Sequence, residues 1–430
     1  MKALEANRTF INILNDSRIQ FLFFSICIYL IAVVEYQNFV VEQYRYMGFP
    51  GDFSLLKAGL AFVVYLLSHL LLYLKVSRFI RGFTALFILI FFMPILVLYQ
   101  FASDVGGWFV FSSLMLLLII NANWSFAIPR TIVLKENDRP FVYLALAVFI
   151  FIPFLLSYKV HLDPELFLLG EKIYAIRAGL SDKGNLFTGY MLSPLFQFIL
   201  PILAIYGLSS KKFYLTVIAF CLTILMYLMI PQKSIFLGIF VILFFYFFKD
   251  PLRKVSVLAG IILLLLIFGA YLTHTSDAIL LESLVLRRYF FVPAFLNHVY
   301  FDFFEGENLY YSYSFLKGVF DYPYDLNPSF LIGREFFGGR ILNANNGFMS
   351  DGYINFGVLG MLISTSIVAF VIKFFDKISI DAKFFGLFFL LINLLRSSAL
   401  PTIVLTHGLW LLVLFGFFTL RNYRPKRFES

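Results

Sequence analysis

The chain has 430 residues, of which 61% are hydrophobic and only 14% charged, with a mean hydropathy of +0.88. That balance excludes an ordinary soluble domain. The net charge of +9 needs no nucleic acid to account for it, because the basic residues cluster in short connections between apolar runs.

Taken in chain order, the apolar runs predict about twelve membrane spans, near 19–39, 55–74, 83–101, 108–128, 141–157, 190–208, 213–230, 234–248, 255–272, 352–372, 384–400 and 401–420. The first run is too long for a signal-peptide core and has no small-residue cleavage site after it, so it is expected to stay as a helix. Cys27 and Cys221 lie in separate apolar runs and suggest neither a disulfide framework nor a metal site. The expected fold is all-α: a polytopic integral membrane protein with a single transmembrane domain over 1–430.

Basic residues set the orientation. The amino terminus, KVSRFIR, PRTIVLKENDR, KK, KDPLRK, KFFDKISIDAK and the carboxyl terminus hold 21 of the 34 Lys and Arg but 8 of the 25 Asp and Glu. One side is then near +13 and the other near −4. The positive side is cytoplasmic, which puts both termini inside. Two outer connections are long, 158–189 and 273–351, the second lying between spans 9 and 10. Loops of that length usually carry function.

Polar residues mark the outer side. In LRRYFFVPAFLNHVYFDFF, a helix over 287–302 would put Arg287 and His298 on one face, with Asp302 about 60° away. Pro293 is a possible kink in it. An interfacial helix with snorkelling arginines explains the same pattern. The segment DYPYDLNPSFLIGREFFGGRILNANNG, with Arg334 and Arg340, is expected to be irregular. The tyrosines at 310, 311, 313, 322 and 324 suit either a membrane-interface belt or the apolar faces of sugars. Lys233 sits in a short outer turn and Arg396 about four residues from the outer end of an apolar run; each either snorkels or binds an anion. Glu35, His69 and His407 read most simply as satisfied interior residues. In NANNGFMSDGYINFGVLG, Asp351 stands at the outer mouth of the tenth span, as a helix cap shared with Ser350 or as a proton acceptor. Asn343, Asn345 and Asn346 can bond hydroxyl groups. Gly352, Gly357 and Gly360 leave room for close packing or a ligand.

At these residues the chain resembles the Wzy-type O-antigen polymerases, the oligosaccharide repeat-unit polymerases of bacterial envelopes. The resemblance rests on the twelve-span plan, PQKSIF after span seven, RRYFFVPAFLNHVYFDFF at the head of the largest outer loop and NNGFMSDGYINFGVLGMLI at its end. It implies a GT-C-like polymerase/ligase architecture in the bacterial inner membrane, with the site facing the periplasm. It implies glycosyl transfer without a metal or other cofactor. The donor is a glycan on undecaprenyl pyrophosphate, and the acceptor is a lipid-linked repeat unit. By the same resemblance, Lys233, Arg287, Arg288 and Arg396 hold the pyrophosphate, and Asp351 and His298 are catalytic. Arg334, Arg340, Asn345, Asn346 and Tyr353 meet the glycan. The partners implied are undecaprenyl-pyrophosphate-linked oligosaccharides, the lipid bilayer and, as a candidate, a chain-length-regulating co-polymerase. An O-antigen ligase using the same donor, or a flippase or transporter of lipid-linked oligosaccharides, are the competing readings.

Overall fold

The computed structural model describes residues 16–102, 106–124, 126, 128, 134–168, 173, 176–177, 179–180, 184–337, 339 and 342–421. No strand occurs among them. The helices in chain order are α1 Ser17–Met47, α2 Leu55–Tyr73, α3 Arg78–Tyr99, α4 Gly106–Asn121, α5 Arg139–Ser157, α6 Leu186–Ser209, α7 Phe213–Met229, α8 Lys233–Tyr246 and α9 Pro251–Ser276. After a π-helical segment, Ser283–Phe291, come α10 Val292–Phe303, α11 Pro328–Phe336, α12 Phe348–Lys377, α13 Gly386–Ser397, α14 Leu400–Leu405 and α15 Leu409–Leu420. Among the described residues, seven of these (α1, α2, α3, α5, α6, α9 and α12) are long and apolar enough to cross a membrane. The chain is therefore a polytopic, all-helical membrane protein.

Short polar signals start the helices. Asp16 accepts the Arg18 N–H at 2.8 Å, Ser77 the Ile80 N–H at 3.1 Å, and Asp250 the Arg253 N–H at 3.0 Å with Pro251 in the first turn. Asn185 and Thr188 form a reciprocal capping box on α6.

Several elements differ from the sequence expectation. The run expected to be irregular after Asp321 contains α11, because Asn327 and Pro328 act there as a helix start, not as breakers. The 287–302 stripe does not form as drawn: π bonding over Ser283–Phe291 widens the turn, so a count at 100° per residue loses phase. Pro293 lies in the first turn of α10 and kinks nothing. The apolar stretch near 384–420 is divided into α13, α14 and α15, with Gly408 at φ 82° before α15.

The chain forms two compact units. The first comprises Met1–Trp124, Asp250–Lys373 and Ile392–Leu400. Its core is α3, whose most apolar window is 94% buried, against 28% for α2. The outward leucines of α2, such as Leu55 and Leu56, suit a lipid-facing helix. Lipid tails are as apolar as leucine, so packing and interhelical hydrogen bonds must hold such helices together, the latter at about 0.6 kcal/mol each. Here they include Gln100 to Tyr29 Oη at 2.8 Å, Asn121 to Thr84 Oγ1 at 2.9 Å and Ser112 with Thr365 at 2.7 Å. His69 is satisfied, as expected, by Ser25 Oγ at 2.7 Å and the Tyr65 carbonyl at 2.8 Å. Buried Lys373 donates to the carbonyls of Ile120 and Ala122 at the end of α4, both at 3.1 Å.

The second unit comprises Ser125–Lys249, Phe374–Leu391 and Pro401–Ser430. Gly207 lets α6 and α7 approach: a Cβ there would fall 2.4 Å from Thr216 Oγ1. Tyr143 and Tyr206 bond the hydroxyl and carbonyl of Thr419 at 2.5 and 2.7 Å. Lys233 is the first residue of α8 in this unit.

Candidate active site

The stretch that opens α12 folds back on itself. Phe356 and Gly357 leave helical geometry, Gly357 at φ 61° and ψ −154°, a region that only glycine adopts readily. Residues eight apart in a straight helix are separated by about 12 Å. Here a Cβ on Gly352 would lie 2.5 Å from the Gly360 carbonyl oxygen. The glycines thus allow two helical arms to close against each other. The break frees the carbonyls of Ile354 and Asn355, and these take the N–H groups of Leu309 and Tyr310 at 2.8 and 3.3 Å. Asn355 Oδ1 takes the Tyr311 N–H at 2.6 Å. The outer-loop tyrosines are bound in this way to the short arm carrying Asp351.

Asp351 does not act as a cap. Its own N–H already bonds the Gly347 carbonyl at 2.9 Å, and its side chain, 0% exposed, turns inward. The carboxylate accepts from Tyr311 Oη at 2.9 Å, Tyr313 Oη at 3.3 Å, the Leu400 N–H at 3.3 Å and Asn355 Nδ2 at 3.5 Å. The Asn346 amide also lies against it. Among the described residues no cation meets it. Tyr310 and Tyr311 hold φ of 49° and 54°, left-handed values costly for tyrosine. Strained residues of this kind cluster at active sites and ligand clamps.

Arg396 is the complementary group. Its side chain is 8% exposed, its guanidinium lies over the Tyr289 ring at 4.0 Å, and Nη1 is buried with no hydrogen-bond partner. It lines a cavity with Phe91, Pro94, Phe290, Pro293 and Asn297. That cavity is about 10 Å³, room for one water and not for a diphosphate. Hydrogen bonds link the two residues, through the backbone of Arg396 and not its guanidinium. Asn297 Oδ1 accepts from Ser350 Oγ at 2.6 Å and the Gly347 N–H at 3.2 Å, while its Nδ2 donates to the Arg396 carbonyl at 3.5 Å. Arg396 is four residues from Leu400, which bonds Asp351, so the two backbones are within about 14 Å.

His298 does not share this network. It is one residue from Asn297, about 100° around α10, and faces Phe109 with ring centroids 5.3 Å apart. A Cβ on Gly106 would fall 2.5 Å from its Cε1. Both ring nitrogens are buried and unpartnered. Burial first, then the charge of Lys57, pushes its pKa down to about 4.

The other candidate residues scatter. Arg287 donates to Ser283 Oγ at 3.0 and 2.9 Å and lies 4.1 Å over Tyr44. Arg288 is exposed. Arg334 is held by Asp325 at 2.7 Å and Glu335 at 3.1 Å, so acids already occupy its fork. Asn345 is exposed, and half-buried Tyr353 stacks on Phe301 with centroids 3.7 Å apart. Arg340 lies outside the described residues. Of Arg287, Arg288 and Arg396, predicted to gather on one anion, Arg396 alone joins the Asp351 network, by its backbone carbonyl. The hydroxyl partners Tyr311 and Tyr313, and the organiser Asn297, were not singled out as such by the sequence. Only the spacing Asp351 to Asn355, one helical turn, signalled part of the network. Among the described residues no group of three or more His, Cys, Asp or Glu is placed to hold a metal.

No family model matches the chain, and no curated protein or solved structure matches it.

Proposed function

We propose that this chain is a Wzy-type polymerase: a glycosyltransferase that joins undecaprenyl-pyrophosphate-linked oligosaccharide repeat units into O-antigen or a related surface polysaccharide. In this reading the protein has about twelve spans in a GT-C-like arrangement, both termini are cytoplasmic, and the site opens to the periplasm across the inner membrane. The observation that carries the reading is a pair of unspent charges. Among the described residues, a buried carboxylate without a cation and a buried guanidinium without a carboxylate stand on residues joined through Leu400 and Asn297, Arg396 by its backbone carbonyl. Opposite charges in a low-dielectric site gain most by pairing with each other. Held apart, each is free for a group of a ligand.

The reaction divides between them. The acceptor hydroxyl attacks the anomeric carbon of the donor, and the bond from that carbon to the pyrophosphate oxygen breaks with its electron pair on the leaving group. Arg396 meets the charge that develops there, a donor already aimed before the bond breaks. The cavity beside it must widen to admit the diphosphate. The released proton passes to Asp351 by way of Tyr311, whose hydroxyl donates to the carboxylate.

The test is the full chain in lipid bilayers with lipid-linked repeat units, read as a ladder of chain lengths on a gel. Ladders are expected from the wild type, with chelator present, and none from Asp351→Asn or Arg396→Gln. Normal ladders from both variants would sink the reading. Transfer only to a different acceptor would indicate a ligase, and translocation without new glycosidic bonds a flippase.

A further inference from the structure

The first unit carries a second set of buried charges that the proposed reaction does not use. Glu282 ends the short helix Leu280–Glu282, is 1% exposed, and has both carboxyl oxygens buried. It is docked closely. A Cβ on Gly269 of α9 would fall 3.3 to 3.5 Å from the N, Cα and Cβ of Glu282, so the glycine makes the seat. Glu35 of α1 and Thr273 and His274 of α9 face its carboxyl. Glu35 is 8% exposed and bonds His274 Nε2 at 3.1 Å. Thr273 Oγ1 is buried against the Glu282 carboxyl. Arg287, five residues on, is turned to Ser283 and Tyr44. His274 is the basic side chain that faces the pair.

Two carboxylates in such a seat repel each other, and one proton between them removes the repulsion. Glu282 leads directly into the next segment. The nine-residue Ser283–Phe291 is π-helical, a form that is rare beyond a single turn. That segment bears Arg287 and Arg288.

We propose that Glu35 and Glu282 form a proton-operated latch: while a proton is held between them, Glu282 stays seated on Gly269 and fixes Ser283–Phe291, and its loss releases that segment. The latch stands independently of the glycosyl-transfer reading. Burial, ahead of the neighbouring Glu35, pushes the Glu282 carboxyl up to about 7. A raised carboxyl binds its proton in the folded state where the unfolded chain has lost it. Its stabilisation is therefore full at acid pH and is lost as pH rises through about 7.

The experiment is hydrogen exchange on the full chain in lipid nanodiscs, from about pH 5 to about pH 9, corrected for intrinsic rates. Peptides over 280–291 are expected to lose protection about 10-fold as pH rises through the Glu282 transition. Glu282→Gln should keep the acid-state protection throughout. Glu35→Gln should move the transition to lower pH, and it serves alone if the first variant does not fold. Flat protection in the wild type overturns the latch. So does a transition that survives Glu282→Gln, or protection that tracks added magnesium or calcium at fixed pH.

Discussion

Asp351 and Arg396 are both buried, but they are expected to respond differently to removal. Asp351 is surrounded by donors, so Asp351→Asn keeps the bonds to one oxygen and turns an NH2 to the donors of the other; it should cost the reaction at least ~10²-fold while the protein still inserts. Arg396 carries an unpartnered Nη1 in an apolar cavity. Burying an unpaired charge is unfavourable, so Arg396→Met should leave thermal stability equal or higher while transfer falls by about 10²–10³-fold. A drop in melting temperature for that variant would make the arginine a structural residue. His298 offers a pH test. Its pKa near 4 is below the ordinary 6.5, so the unfolded chain binds more protons between these values. Stability should fall as pH drops through that window, and His298→Leu should remove that limb from thermal unfolding curves. The sequence pointed to Asp351, Arg396 and His298 as residues, because polar groups inside apolar runs stand out. It did not show that Asn297 faces Asp351's arm while His298 faces away, since that depends on the phase of a π segment.

At the scale of elements, the fold-back of α12 is the feature on which the site depends. Gly357→Ala would put a Cβ in a backbone region that costs about 1–3 kcal/mol, read as a lower unfolding midpoint. Gly352→Leu should be worse, because the Gly360 carbonyl already occupies that space. Both should also disturb the Leu309 and Tyr310 bonds that hold the outer loop. The glycines were legible in NANNGFMSDGYINFGVLG as places of close approach. That the approach is of the segment to itself was not, because spacing along a chain does not reveal a reversal. The same holds for α11, where Pro328 read as a breaker opens a helix.

For the whole molecule, the charge asymmetry makes a prediction that needs no substrate. Single cysteines placed in 305–327, on a background without Cys27 and Cys221, should react with a membrane-impermeant maleimide from outside. Those placed at Glu136 or Lys212 should react only after the membrane is opened. Labelling of both sets from outside would refute the orientation. Lys233, carried over from the resemblance, is tested by Lys233→Ala in the ladder assay: loss of long chains is the expected outcome.

The sequence by itself determined the class of this protein, a polytopic helical membrane protein, and the apolar runs that form its long helices. Those properties are local: a run of apolar side chains must leave water. Only the tertiary structure decided that Asp351 collects tyrosine hydroxyls, that Arg396 stays unpaired beside Tyr289 and that Glu282 seats on Gly269. Each of those joins residues far apart in the chain, and their contact depends on helix phase, backbone breaks and packing that no single segment encodes.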